Sequence, residues 1–374
     1  MPKRVFITAA EVSGDQHAAA LIKSLKQLDP TIIVEGHGGP LMRAAGATIH
    51  QNTVTHAAMG WRGALRYFEI KKVLKWTENY FVANKPDLVI GVDSPDMNIH
   101  FARLAKARGV PMLQYVAPQL WGWREYRIKK IRPVVDMIAC ILPFEQEYFR
   151  KLGMNATFVG HPLFDELPPN RQAPEGARFP DRPPVIGLLP GSRASEARNN
   201  FPHMLDVARA LKLVYKDARF LVPTVAATHP IVESLAIGMP RLEYAQDQFD
   251  TIVPKCDLCI VASGTATLHV ASFGVPMIVV YRGSPVLWHG IGRWLIKVRT
   301  FSLVNLLAGV DKHIVPEFIP WYGSNQPVAN CAIDLLKHPT KLDDQHKKLE
   351  ALIQQLDKPG ASMNVAKLAM GMMK

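Results

Sequence analysis

Two carboxylates stand three residues apart in Asp93-Ser-Pro-Asp96, on a loop that Pro95 stiffens. A carboxylate so placed acts as a general base toward a hydroxyl if its pKa and reach are right. Otherwise it closes an Asx-turn or caps a helix. Asp93, directly after an apolar run, is the expected base and Asp96 the expected cap. Elsewhere, Pro190-Gly-Ser-Arg193 and the following Glu196 combine a glycine for close backbone approach, a hydroxyl and a guanidinium. Such a turn holds a diphosphate at a helix N-terminus, where backbone N–H groups and the helix dipole favour anions. The plain alternative is a helix start capped by Ser192. Ser263-Gly-Thr-Ala-Thr267 is a second small, hydroxyl-rich turn that admits a ligand or simply bends tightly. Ser13, Gly14 and Asp15 form a third group of candidate binding residues. His161 is expected to face a ligand cleft where the first half of the chain ends.

These groups need elements to present them. Short apolar runs alternate with amphipathic stretches of helical length. Strands are predicted over 5–9, 32–35, 88–92, 112–116, 137–142 and 157–159, then over 185–189, 219–223, 258–262 and 276–281. Near-continuous apolar strands separated by helices argue for parallel sheets covered on both faces. In such sheets ligands sit beyond the carboxyl ends of the strands, and each chemical group above follows one of the predicted strands. Seven prolines between 162 and 184 cannot continue a helix or a central strand, which marks a linker. The expected organisation is one domain over 1–165, a linker over 166–184, a second domain over 185–340 and a helical segment over 341–374.

Composition narrows the function. A formal charge of +12 attracts phosphates on nucleic acid, anionic lipid or small substrates. The basic residues are spread out, without the dense tail that wraps DNA. The aromatic-rich cluster 124–132 keeps single-stranded nucleic acid as an alternative. The apolar segment 288–298, with its Trp and basic residues, and the basic helix over 63–81 suit a membrane surface or ordinary packing. The chain lacks an apolar run long enough to span a bilayer and an apolar signal region, so a cytoplasmic protein, soluble or peripheral, is expected. Cys256 and Cys259 make one C-x-x-C without a second pair, and a structural role is expected for it. Neither turn ends in the Gly-Lys-Ser/Thr of a P-loop, and G-x-G-x-x-G is missing after the first strand, against ATP hydrolysis and dinucleotide binding.

Taken in order, the stretches at 10–15, 38–46, 91–98, 115–124, 143–145, 158–162, 189–193, 263–268, 305–309 and 315–317 resemble the lipid-A-disaccharide synthase family. The resemblance covers nearly the whole chain. It implies the GT-B fold, two doubly wound Rossmann-like α/β domains facing a central cleft, with the final helix crossing back onto the first. It also implies an inverting, metal- and cofactor-free transfer of 2,3-diacylglucosamine from a UDP donor to 2,3-diacylglucosamine 1-phosphate. Asp93 would be the base. Ser13, Gly14, Asp15, Gly191, Ser192, Arg193, Glu196, Ser263, Gly264, Thr265, Ala266, Thr267, His269, Asn305 and Glu317 would bind substrate or nucleotide. The implied partners are the UDP-sugar, an acylated glucosamine phosphate, the inner leaflet of the cytoplasmic membrane and a possible second copy, with no nucleic acid.

Three departures fall on the nucleotide side. The family's glutamate, expected to accept from ribose hydroxyls, is His269 here, which when neutral offers one acceptor nitrogen and no negative charge. Val304 and Pro320 replace a proline and a glutamine. His269 is expected to be a compensated variant that still binds a UDP-sugar. A GT-B transferase with another donor or acceptor, or a non-catalytic binder of lipid or nucleic acid, are the alternatives.

Overall fold

The computed structural model describes residues 2–54, 63–122, 125–168, 179–236, 242–282, 300, 302–309 and 312–373. Segment 288–298, Trp123, Arg124 and residues 169–178 of the proline-rich stretch lie outside these. The chain divides into two compact units, Met1–Glu166 with Lys358–Lys374, and Leu167–Asp357.

In the first unit, runs such as Val5-Phe-Ile and Leu88-Val-Ile are wholly buried, so both of their faces need cover. They form β1 (Arg4–Ala9), β2 (Ile33–Gly38), β3 (Thr48–Asn52), β4 (Leu88–Val92), β5 (Met112–Tyr115), β6 (Met137–Cys140) and β7 (Ala156–Phe158). The strands are parallel, in the order β3-β2-β1-β4-β5-β6-β7. The order reverses direction between β1 and β4, the switch point at which such sheets open a crevice. Helix α1 (Val12–Leu28) covers one face with Ala18, Leu21, Ile22 and Leu25. The last helix, Ala361–Met372, joins the same core through Val365, Ala366 and Ala369. Asp165 fixes its start, accepting from the backbone N–H of Gly360, Ala361 and Ser362 at 2.6, 3.0 and 2.8 Å. These are charge-assisted contacts at a positive helix end.

The second unit repeats the design with β8 (Val185–Leu189), β9 (Arg219–Thr224), β10 (Leu242–Gln246), β11 (Leu258–Ala262), β12 (Met277–Arg282) and β13 (Glu317–Trp321). The parallel order β10-β9-β8-β11-β12-β13 reverses between β8 and β11. Helix Pro339–Leu356 belongs to this unit: Gln345 accepts from Met277 N, and His346 Nδ1 lies 2.6 Å from Gly274 O.

The Cys256 and Cys259 thiols are buried under Gly187, where an added Cβ would come within 2.7 Å of Cys259 Sγ. Burial pushes the Cys259 thiol up, so it stays protonated. The pair packs β11 against β8. Among the described residues there is no cluster of His, Cys, Asp and Glu suited to a metal, and no helix long and apolar enough to cross a membrane.

Candidate functional site

In the first unit, Asp93 follows β4 at the switch point. Its backbone has φ 53° and that of Ser94 φ 33°, two successive left-handed residues that are not glycine. Such a conformation costs about 1–3 kcal/mol per residue and persists only where neighbours hold it. The neighbours are visible. Asp93 O accepts from Asn98 Nδ2 at 2.6 Å and Gln114 Nε2 at 3.0 Å, while Asp93 N donates to Tyr115 O at 3.0 Å. Asn98 is in turn fixed by Thr8 Oγ1 at 3.0 Å, and it fits only because residue 91 is glycine: a Cβ there would meet its amide carbon at 2.7 Å. The Asp93 carboxylate stays half-buried, accepting from Ser13 Oγ at 2.9 Å and from Ser94 N at 2.9 Å. Gly14 lets α1 approach this turn, with a virtual Cβ 3.3 Å from Val92 O and 3.5 Å from Asp93 Cβ. The arrangement presents one carboxylate at the sheet's carboxyl edge, oriented by a hydroxyl.

Several expectations for this unit need correction. Asp96 caps nothing: Ser94 is the N-cap of helix Pro95–Lys106, no side chain bonds the cap, and Asp96 pairs with Arg127. Asp15 is 2% exposed and its carboxylate accepts from the backbone N–H of Gly39, Leu41 and Met42 at 2.9, 3.0 and 3.1 Å. That carboxylate anchors helix Pro40–Ala44, and a ligand would have to displace backbone to reach it. His161 is buried rather than facing outward. Its Nδ1 accepts from Leu163 N at 3.2 Å, and burial lowers its pKa to about 3, so the ring is neutral packing.

In the second unit the turn at 190–193 follows β8 and the turn at 263–267 follows β11, the two sides of the switch point. Arg193, not Ser192, is the N-cap of helix Ala194–Val214, and Glu196 reaches back to Arg193 N at 3.3 Å while pairing with its guanidinium at 3.1 Å. This leaves Ser192 and Arg193 exposed at the helix start. Gly191 has φ 115°, and a Cβ on it would come within 2.5 Å of Glu196 Oε2. The turn is also tied down by buried Asn200, which donates to Pro190 O at 3.0 Å and accepts from Arg282 N at 3.0 Å.

Gly264 caps helix Thr265–Ser272 with φ 155° and open space where a Cβ would stand. Gly264 and Thr265 are exposed, Ser263 and Ala266 half-buried, and Thr267 is spent on the turn, its Oγ1 donating to Gly264 O at 2.8 Å. Two exposed helix starts with backbone N–H groups therefore flank one switch point, where such groups and the helix dipoles favour an anion.

The family model for lipid-A-disaccharide synthetase matches residues 5–370. The chain belongs to this family. It is 35% identical over 378 residues to the lipid-A-disaccharide synthase of Geobacter metallireducens, covering 99% of this chain and 97% of that one. It is 32% identical over 371 residues to that of Coxiella burnetii, covering 98% and 97%. Among solved structures it resembles Acinetobacter baumannii MurG, with TM-score 0.61 and 19% identity over 99% of this chain and 100% of that one. It also resembles S. aureus MnaA in a UDP co-structure, with TM-score 0.62 and 16% identity over 97% and 94%. At such identities the likeness establishes the fold, which is GT-B, and the family establishes a glycosyltransferase.

Against the family pattern, the three departures have separate physical settings. Val304 is fully buried in the core, and Pro320 lies in β13, the sheet's edge strand, where a missing N–H is tolerated. His269 stacks on Phe249 at 4.2 Å and on Phe273 at 5.7 Å, and its Nε2 lies 2.6 Å from Asp250 Oδ1. Asn305, implied to line the nucleotide side, is wholly buried. Its amide donates to Val315 O and Glu317 Oε1 and accepts from Ile314 N and Val315 N, at 2.7–2.9 Å. That exhausts its hydrogen-bonding capacity, so Asn305 positions Glu317 instead of touching a ligand. Glu317 Oε1 also accepts from Ser302 N and Oγ at 3.1 and 2.5 Å. Sequence reasoning missed Asn98, Gln114, Asn200 and Asp250. Asn98 lies in a matched stretch, Gln114 in a predicted strand and Asn200 in a helical stretch, none with a chemical signal of its own, and Asp250 lies outside every matched stretch.

Proposed function

We propose that the protein transfers 2,3-diacylglucosamine from its UDP donor to 2,3-diacylglucosamine 1-phosphate, giving the β-1,6 disaccharide 1-phosphate and UDP. Asp93 takes the proton from the acceptor 6-hydroxyl as that oxygen attacks the anomeric carbon, inverting it. Ser13 holds the carboxylate in its reactive rotamer. The turn Gly191–Arg193, with the start of helix Thr265–Ser272, binds the diphosphate and offsets the negative charge that grows on it as the glycosidic bond breaks. Each charge-assisted contact there contributes about 1.5–3 kcal/mol. Glu196 keeps Arg193 aimed.

The observation that carries this reading is the coincidence of chemistry with topology: the base candidate and both anion-binding turns all lie beside a switch point of their own sheet. Family membership selects the substrates. UDP in the S. aureus MnaA structure supports a nucleotide-bound donor. The acceptor carries acyl chains, so we infer a peripheral position on the inner leaflet of the cytoplasmic membrane, to which a charge of +12 contributes attraction. A homodimer is part of the same proposal, and nucleic acid is not a partner in it.

The test is mass spectrometry of products from the two diacylated glucosamine substrates, beside the Asp93→Asn variant. Disaccharide formation should fall by about 10²–10⁴-fold in the variant, with UDP affinity by calorimetry unchanged. Product formation by Asp93→Asn within tenfold of the parent would remove Asp93 as the base. No disaccharide from the parent protein would remove the substrate assignment.

A further inference from the structure

Replacing a carboxylate by an imidazole at position 269 would leave a nucleotide's ribose without its anionic acceptor, unless a neighbour supplies one. Asp250 is such a neighbour. Asp250, in the first turn of helix Phe249–Ile252, places Oδ1 2.6 Å from His269 Nε2, and its side chain is 48% exposed against 21% for the imidazole. The ring is clamped between Phe249 and Phe273 with interplanar angles of 23° on both sides, which fixes the direction in which Nε2 points. Phe249 and Asp250 follow β10 closely, so they stand at the same carboxyl edge of the sheet as the turn at 263–267.

We infer that Asp250, at ion-pair distance from His269, is the residue that accepts from the ribose 2′- and 3′-hydroxyls of the nucleotide, and that it sets the preference for a ribonucleotide donor. This rests on the nucleotide reading proposed above and deepens it. First, His269 lies four residues beyond Thr265, on the same face of helix Thr265–Ser272 and about one turn, 5.4 Å, from its start. With a diphosphate at that start, the attached ribose falls roughly one turn away, level with residue 269. Second, an imidazole, with at most one acceptor nitrogen, cannot offer two acceptors to a vicinal diol. A carboxylate has about four lone-pair positions, so even with Oδ1 beside His269 it leaves room for a bidentate diol. The pair thus returns negative charge to the location where the family's motif glutamate is absent, from a different element of the unit.

The test is calorimetric binding of UDP and of 2′,3′-dideoxy-UDP to the full-length parent and to Asp250→Ala. The parent should bind UDP about 10- to 100-fold more tightly than the dideoxy nucleotide, as loss of hydrogen bonds to a charged acceptor requires. Asp250→Ala should bind both with the dideoxy affinity, and its thermal unfolding should match the parent because the side chain is at the surface. Adding His269→Glu to Asp250→Ala should restore the discrimination. If Asp250→Ala discriminates as the parent does, the assignment of Asp250 is overturned while the nucleotide reading stands. If the parent binds neither nucleotide, the nucleotide reading itself falls and this inference falls with it.

Discussion

Asp15 gives the sharpest separation of a structural from a substrate-binding role. Its buried carboxylate accepts three backbone N–H groups from the start of helix Pro40–Ala44, whose N-cap Gly39 has no side chain to help. Net contributions of hydrogen bonds to a charged group are about 1.5–3 kcal/mol each and are not additive. Asp15→Ala removes all three and leaves buried donors unpaired, so a loss of about 3–5 kcal/mol is expected. Asp15→Asn keeps one carbonyl oxygen but turns an N–H₂ toward the remaining N–H, and about half that loss is expected. For a unit of this size, about 3 kcal/mol corresponds to a drop in Tm of about 6–12 °C. The assay is thermal and urea unfolding followed by circular dichroism, with UDP affinity as the control; the affinity should be unchanged because Asp15 lies in the first unit. If Asp15→Ala unfolds within about 1 kcal/mol of the parent yet abolishes turnover, the carboxylate serves substrate and the reasoning fails.

Burial raises the Glu145 carboxyl to about 7 even though Trp121 Nε1 and the backbone N–H of Leu142 and Ile141 donate to it. The folded pKa lies above the unfolded one, so its protonated form stabilises the fold fully below about pH 4.5. That contribution, about 3 kcal/mol, is lost as pH rises to 7. Glu145→Gln should flatten the pH dependence of Tm across that window, and an unchanged slope would refute the assignment. Gly191→Ala and Gly264→Ala both meet a strained positive φ, 115° and 155°, but only at Gly191 does the Cβ also meet a neighbour, 2.5 Å from Glu196 Oε2. Thermal unfolding should therefore show Gly191→Ala to be less stable than Gly264→Ala by about 1–3 kcal/mol; equal stability would mean that Glu196 gives way at no cost.

Most of the sheet was legible because buried parallel strands read as unbroken apolar runs. Strands β3, β10 and β13 escaped notice: Thr48-Ile-His-Gln-Asn is polar, Leu242-Glu-Tyr-Ala-Gln is mixed, and Glu317–Trp321 contains Pro320. All three lie at sheet edges, where one side needs no partner and polar residues or proline are tolerated. The site was legible as clusters of unusual residue types after strands. The division of labour within each cluster was not. Asp15 and Asp93 carry the same group, yet one is spent on backbone N–H groups and the other, beside Ser13, remains half-buried at the sheet edge.

The sequence alone determined the alternation of strand and helix, the positions of the Gly-rich and acidic turns, and the family, because these depend on local periodicity and on short motifs. Tertiary structure decided which polar atoms remain available. Asn305 is consumed by contacts up to twelve residues away, and His269 meets Asp250 across two helices. Hydrogen-bonding capacity is finite for each group, and a one-dimensional pattern does not record which distant partner has already taken it.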